Sequence, residues 1–174
     1  MGSYGPIEMA FASPFADGLR DSAVFRKWVI GKTPFKAHAR TAVLLHEEMQ
    51  AKRGAATWWR SHYQERCRCE GCSGQETDIL AIFSDGATRF AIHVEVKHPG
   101  DKFSNDQQAP SYPIRAACWA GAGRNPARVI PHDFASTMLL FSENCRTVFA
   151  PHLPHFSSLI TFEEVQASFP EMYA

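Results

Sequence analysis

The sequence lacks any long uninterrupted apolar run. No stretch of about 18 consecutive apolar residues occurs in the chain, so no membrane-spanning helix is predicted. The first residues, 1–15, also lack the basic start and the apolar run of a signal peptide. We therefore expect no membrane partner.

Neither sign of charge is in excess. The 18 lysines and arginines balance 18 aspartates and glutamates. Many nucleic-acid-binding proteins are visibly basic, so the overall charge does not favour such a partner. A local basic groove can nevertheless coexist with an acidic metal site, and the balance excludes only a general attraction to polyanions.

Cysteine is scarce and unevenly placed. Of the five cysteines, Cys67, Cys69 and Cys72 share one short loop, with His62 just before it. The odd count favours a reducing compartment over a secreted disulfide scaffold, and we expect a cytoplasmic protein. These four side chains could hold a structural Zn²⁺. Because a second CxxC pair is absent, a redox role or plain reduced thiols are the alternatives.

The composition predicts one domain with its own core. With 174 residues, 45% of them hydrophobic and 21% charged, the chain can bury a core without disulfides. Residues 1–20 are rich in Gly, Ser, Pro and Ala, which predicts a flexible N-terminal arm. The single domain is then expected over residues 21–174.

The first half of the domain is predicted to be mainly helical. A short helix is expected over 21–30, and Thr33 followed by proline is a suitable start for a second. That helix is expected over 35–53, where apolar residues recur at helical spacing, and Gly54 should end it. The segment 58–66 is ambiguous and is interpreted as a strand.

The second half contains a hairpin and alternating elements. Strand-like segments at 77–83 and 89–97 flank an Asp-Gly turn. A helix ending at Ala120 and a strand over 134–141 should follow. Thr161 and Glu164 form a capping-box pattern for a last helix. The expected class is therefore mixed α/β, with helices flanking one sheet.

Three polar residues in the hairpin carry the chemistry. Glu95 and Lys97 are two residues apart on a strand, so their side chains share a face. Antiparallel pairing should bring Asp78 close to Glu95. Two carboxylates can bind Mg²⁺ or Mn²⁺, and a lysine can orient the attacking water and counter phosphate charge. The alternative is an exposed cross-strand ion pair.

This arrangement resembles the PD-(D/E)xK, or restriction-endonuclease-like, nuclease superfamily, over about residues 35–141. Asp78 matches the acidic residue of the family's second strand, and Glu95-Val96-Lys97 matches E-x-K. Thr77 stands where the family usually has proline. Gln108 and Tyr112 are spaced as in the Q-x-x-x-Y motif of some branches, although Pro110 interrupts the helical pattern there.

The resemblance implies an αβββαβ core with a sheet of four or more strands. It also implies a catalytic group of Asp78, Glu95, Lys97, Gln108 and Tyr112, with Asp78 and Glu95 as metal ligands.

The first helix of the family often supplies a further glutamate. Glu47 and Glu48 are the candidates, and we favour Glu48 as the third metal ligand. A solvated helix face, paired with Lys52 or Lys36, is the alternative for both.

Nucleic-acid contacts are expected around this group. Lys102 and Arg115 are predicted to line a groove beside the site, with ordinary surface charge as the alternative. His93 would share the face of Glu95 and could assist a metal or a phosphate. Cutting both strands of a duplex would require a homodimer.

The expected function is a Mg²⁺-dependent nuclease that acts on DNA, more in the manner of an endonuclease than an exonuclease. Two alternatives belong to other classes. One is a catalytically inactive nucleic-acid-binding or interaction protein that retains the fold, and the other is a zinc-stabilised binding module.

Overall fold

A five-stranded mixed sheet forms the centre of the computed structural model, which describes residues 5–60, 76–121 and 126–173. Its strands lie side by side in chain order: β1 (Val43–Leu44), β2 (Ile79–Ser84), β3 (Arg89–Lys97), β4 (Phe134–Phe141) and β5 (Ser158–Thr161). The predicted mixed α/β class, with helices flanking a central sheet, is confirmed.

The sheet changes direction at β3. Strands β1, β2 and β3 pair antiparallel, whereas β3, β4 and β5 pair parallel. The parallel step from β3 to β4 requires a crossover, which a helix supplies. Strand β3 therefore has a partner along both edges and is buried on both faces for nearly its whole length. Polar side chains at the end of β3 therefore need hydrogen-bond partners from the protein, because little water reaches them.

Helices cover the sheet and close its ends. The α-helices are α1 (Pro6–Asp21), α2 (Ala23–Gly31), α3 (His46–Arg53), α4 (Gln108–Trp119), α5 (Arg146–Phe149) and α6 (Phe162–Ser168). Short 3-10 turns are at Lys36–His38, Glu143–Cys145, Leu153–His155 and Pro170–Tyr173. None of the helices in the described ranges is both long and apolar enough to cross a membrane.

The prediction of a flexible arm over residues 1–20 was wrong from Pro6 onward, because this segment is helix α1. Proline at the first helical position has a fixed φ that suits a helix start and lacks an N–H that would be unpaired there anyway. Four side chains at the spacing of one helix face are buried in the core: Ala12, Phe15, Ala16 and Leu19. Composition alone concealed this apolar face.

The single helix predicted over 35–53 was also wrong. The chain instead forms the 3-10 turn at Lys36–His38, the edge strand β1 and the shorter helix α3. Strand β1 pairs with the end of β2, and the Leu45 N–H donates to the Ile82 carbonyl. Pairing with the sheet outweighed the helical periodicity of the segment.

Several local predictions are confirmed. The short helix expected over 21–30 is α2, and the strand expected over 134–141 is β4. Gly54 ends α3 with a left-handed φ of 62°. Thr161 and Glu164 form both hydrogen bonds of the capping box.

Two strand assignments failed. Strand β5 was not predicted, and Trp58, Trp59 and Arg60 do not form a strand. The remainder of the proposed strand, 61–66, lies outside the described residues.

Candidate functional site

Asp78 and Glu95 meet where β2 begins. Ile79 pairs with Val94 in the antiparallel register, so Asp78 lies one step further along, opposite Glu95. The Val96 N–H donates to Oδ2 of Asp78 at 2.7 Å and fixes that carboxyl against β3. Both acidic residues are buried, with 6% and 1% of their surfaces exposed. The predicted convergence of the two carboxyl groups is confirmed.

Lys97 joins them from the end of β3. Its Nζ lies 2.8 Å from Oε1 of Glu95 and 3.4 Å from Oδ2 of Asp101, a residue of the following loop. The ammonium also lies over the ring of Phe103, 5.1 Å from its centre. Only 7% of the Lys97 side chain is exposed, so the exposed ion pair considered from the sequence is excluded.

Two side chains of helix α4 also bind the Glu95 carboxylate. Nε2 of Gln108 donates to Oε1 of Glu95 at 2.7 Å, and the Tyr112 hydroxyl donates to Oε2. The N–H and hydroxyl of Ser104 both donate to Oε1 of Gln108, which fixes the amide so that its NH₂ faces Glu95. These contacts confirm the prediction that Gln108 and Tyr112 lie close to Glu95.

Pro110 does not interrupt α4. It occupies the first turn of the helix, where N–H groups have no intrahelical partner and proline is tolerated. Gln108 and Tyr112 therefore lie on one continuous helix, four residues apart on the same face.

The surroundings of the two carboxyl groups change the pKa of Asp78. Burial raises the pKa of Asp78 well above its ordinary value of 3.8, and the neighbouring Glu95 carboxylate raises it further. The hydrogen bond from Val96 and the charge of Lys97 oppose this rise without cancelling it. Asp78 therefore retains its proton in conditions where an isolated aspartate would be ionised.

We expect the metal-free protein to lose stability as the pH rises. Below the ordinary pKa of 3.8, Asp78 is neutral in both the folded and the unfolded chain. Above it, the unfolded chain releases a proton that the folded chain keeps, so the free energy of unfolding falls until the pH passes the raised pKa. Denaturant titrations in EDTA from acid to neutral pH measure this slope. An Asp78→Asn variant lacks the titrating group and should show a smaller decline; equal slopes would contradict the assignment.

A further carboxylate near the group comes from α1. Glu8 is half-buried, and burial, followed by the charge of Glu95, raises its pKa. The charges of Lys97 and Asp101 also act on it, and α1 packs against β3. The sequence prediction missed Glu8 because it lies in the segment taken for a flexible arm. The signal was present: a proline, then an acidic residue in the first turn of an apolar helix face.

Glu48 does not join the site, which corrects the prediction. Its carboxylate pairs with Arg89 at 2.8 Å, at the start of β3. Arg89 and Glu95 are six residues apart on that strand, or about 20 Å. Glu48 and its neighbour Glu47 are exposed, which is the solvated helix face held as the alternative.

Arg115 does not line a surface groove. It lies on the buried face of α4, where Nε donates to Oγ1 of Thr77 at 2.8 Å and Nη2 donates to the Glu76 carbonyl at 2.7 Å. The prediction of a nucleic-acid contact for Arg115 was therefore wrong, because its guanidinium is out of reach of any ligand on the surface.

Two further predicted residues, Lys102 and His93, differ in their exposure. Lys102 is exposed on the loop that carries Asp101, and its contact with nucleic acid stays a prediction. His93 is buried, with Nδ1 3.3 Å from Oγ1 of Thr77 and its ring against Trp119. His93 therefore supports the segment below the site rather than facing a phosphate.

The zinc prediction concerns residues that the structure does not describe. His62, Cys67, Cys69 and Cys72 all lie within 61–75, outside the described ranges. Among the residues that are described, no three His, Cys, Asp or Glu side chains converge closely enough to form a complete metal site. The candidate site thus has two converging carboxyl groups, with Glu8 nearby.

Comparison of the whole chain with known proteins adds nothing to this geometry. No family model, no curated protein and no solved structure matches it. The site therefore has to be interpreted from its own contacts.

Proposed function

We propose that this chain is a divalent-metal-dependent nuclease that hydrolyses phosphodiester bonds in DNA. The observation that carries the proposal is the convergence of Asp78, Glu95 and Lys97 at one end of the central hairpin. Part of the element order supports it, since the antiparallel pair β2 and β3, helix α4 and the parallel strand β4 follow one another as in the nuclease superfamily that the sequence resembles. Helix α3 separates β1 from β2, which departs from that order.

The donor set suits Mg²⁺ or Mn²⁺. Asp78 and Glu95 offer hard carboxylate oxygens, which these ions prefer, and Glu8 offers another nearby. Two buried carboxylates repel each other and share a single neighbouring ammonium, so a divalent cation would relieve the repulsion that raises the pKa of Asp78. When bound, the cation would acidify a water molecule and neutralise charge that develops on the phosphate.

Lys97 acts as a permanent cation in this proposal. Burial is the largest single influence and favours the neutral amine, but the Glu95, Asp78 and Asp101 carboxylates together outweigh burial and raise the pKa of Lys97 above its ordinary value. The side chain therefore keeps its proton and cannot serve as a general base. Its function is to orient the attacking water and to counter the charge on the phosphoryl oxygens.

Gln108 and Tyr112 fix the orientation of Glu95. Burial, with the charges of Asp78 and Glu95, raises the pKa of Tyr112 well above its ordinary value, so its hydroxyl stays a donor. Together with Lys97, these donors occupy three of the roughly four lone-pair positions of a carboxylate, which leaves a defined direction on Oε2 for a metal ion.

A second candidate function is a nucleic-acid-binding protein without catalysis. The observation in its favour is the low exposure of Asp78, Glu95 and Lys97, all of which are buried residues. In that case the hydrogen-bonded cluster would serve only the stability of the fold.

Incubation of the purified protein with labelled DNA and RNA distinguishes the two candidates. The nuclease should cleave DNA with Mg²⁺ or Mn²⁺ and should stop when EDTA is added. Linear and closed circular DNA should both be cleaved by an endonuclease, whereas an exonuclease spares the circle. Metal-independent binding without cleavage, at any concentration of either ion, would favour the second candidate.

A matched pair of glutamate variants tests which helix contributes to the site. Glu8→Gln removes a carboxylate beside Lys97, and we expect the Mn²⁺ concentration for half-maximal cleavage to rise on the order of 10-fold. Glu48→Gln removes only an exposed ion pair and should leave the metal dependence unchanged. Steady-state cleavage over a Mn²⁺ titration measures both. Equal behaviour of the two variants would remove Glu8 from the site.

A further inference from the structure

Arg115 is an unusual residue to find under an acidic site. Its guanidinium is always charged, and none of its surface is exposed. Across the described ranges no carboxylate forms an ion pair with it; its contacts are Thr77, the Glu76 carbonyl and the ring of Tyr112. Burying an arginine without an acidic partner costs free energy. A substitution by an apolar residue would avoid that cost, which suggests that the arginine serves a purpose other than stability.

One side of the guanidinium holds the segment that carries Asp78. Nε and Nη2 donate in parallel to Thr77 and Glu76, the two residues that directly precede Asp78 in the chain. Since the guanidinium is planar and rigid, these two bonds fix that stretch of backbone relative to α4. Strand β2 begins only at Ile79, so ladder hydrogen bonds do not hold this stretch.

The other side of the guanidinium holds the residue that orients Glu95. Its central carbon lies 4.4 Å from the centre of the Tyr112 ring, and the Tyr112 hydroxyl donates to Glu95. A single rigid group therefore contacts the support of each carboxyl group.

We propose that Arg115 is a positioning residue that sets the separation of the Asp78 and Glu95 carboxyl groups, and with it the affinity of the site for a divalent ion. The inference rests on the proposed nuclease function. Arg115 does not touch substrate or metal. It acts through Thr77 on one side and through Tyr112 on the other.

Arg115→Lys is the informative change, because it keeps the charge and loses the two-pronged contact. We expect kcat to fall and the Mn²⁺ concentration for half-maximal rate to rise, together on the order of 10- to 100-fold, as for groups that orient metal ligands. The KM for DNA should stay the same. Thr77→Val removes the acceptor of the Nε bond and should reproduce the effect, and the double variant should be no worse than the stronger single one.

Arg26→Lys is the matched control. Arg26 of α2 also donates to main-chain carbonyls, those of Leu19 and Arg20 in the last turn of α1, and it lies away from the site. It should lose a similar amount of thermal stability and keep wild-type kcat and Mn²⁺ dependence. A purely structural role for Arg115 would give both arginine variants the same kinetic behaviour.

The possible failures are distinguishable. If the wild-type protein cleaves DNA, and the Arg115→Lys and Thr77→Val variants match its kcat and its Mn²⁺ dependence, the positioning role is overturned and the nuclease function stands. If calorimetry shows no Mn²⁺ binding to the wild-type protein and no cleavage occurs, the nuclease function and the inference that rests on it both fail.

Discussion

Lys97→Met is expected to reduce DNA cleavage on the order of 10²- to 10³-fold, the effect of removing one charge-stabilising group from a preorganised site. Methionine fills a similar volume beside Phe103, but it lacks the ammonium and the ammonium's contact with that ring. The loss also has a structural cost. It leaves the Glu95 carboxylate without its cation at 2.8 Å, and breaking a buried ion pair in this way costs about 3–5 kcal/mol.

Cleavage rates and denaturant unfolding of the same preparation measure both effects. Lys102→Met is the control, because Lys102 is exposed on the neighbouring loop and forms no salt bridge with a described residue. It should keep the stability of the wild-type protein and its rate at saturating DNA. A Lys97→Met protein that is folded, less stable and fully active would remove Lys97 from the mechanism. Because the Lys97 side chain is buried, we expect a marked loss of stability to accompany the loss of activity.

Asp78→Asn should have the opposite effect on stability and an equally large effect on activity. The amide removes the negative charge that burial and Glu95 disfavour, while its oxygen can still accept the hydrogen bond from Val96. We expect the metal-free variant to be about 1 kcal/mol more stable at neutral pH, the kind of gain obtained by relieving a strained functional site. Cleavage should fall on the order of 10³-fold, because a metal ligand has been lost.

Thermal unfolding with and without Mn²⁺ provides the discriminating measurement. Mn²⁺ at 100 times its dissociation constant should stabilise the wild-type protein by roughly 2.7 kcal/mol and leave the variant almost unchanged. Asp133→Asn is the matched control. Asp133 precedes β4 and accepts from the Arg89 N–H at the start of β3, whereas the site lies at the end of that strand. A metal response that survives in Asp78→Asn would show that Asp78 is not a ligand.

The parts of the fold that the sequence predicted depend on short-range chemistry. The Asp-Gly turn determined the β2–β3 hairpin, and the hairpin in turn brought Asp78 and Glu95 together. The capping box at Thr161 and the glycine after α3 are likewise decided by hydrogen bonds within a few residues. Gln108 and Tyr112 followed because residues four apart share a helix face.

The parts that the sequence did not predict depend on contacts between distant segments. Strand β1 forms only because the end of β2 offers a free edge, which no local pattern of residues 35–53 reveals. Glu8 and Glu48 are both acidic residues in the first turn of a helix, and only the packing of α1 against β3 distinguishes them. Arg115 appeared to be a surface cation because arginine is rarely buried without a carboxylate.

The burial of β3 on both faces has a consequence for how the strands align. Where one face of a strand is exposed to solvent, a one-residue slip in register is disfavoured because it would turn the apolar side chains toward the solvent. Strand β3 is buried on both faces over most of its length, so burial alone discriminates weakly between neighbouring alignments with β2. The bond from Val96 to Asp78 and the contact between Thr77 and His93 exist in one alignment only. The polar atoms that suit a metal ion therefore also specify the native register of β2 and β3. Substitutions at these positions endanger correct folding as well as the proposed catalysis.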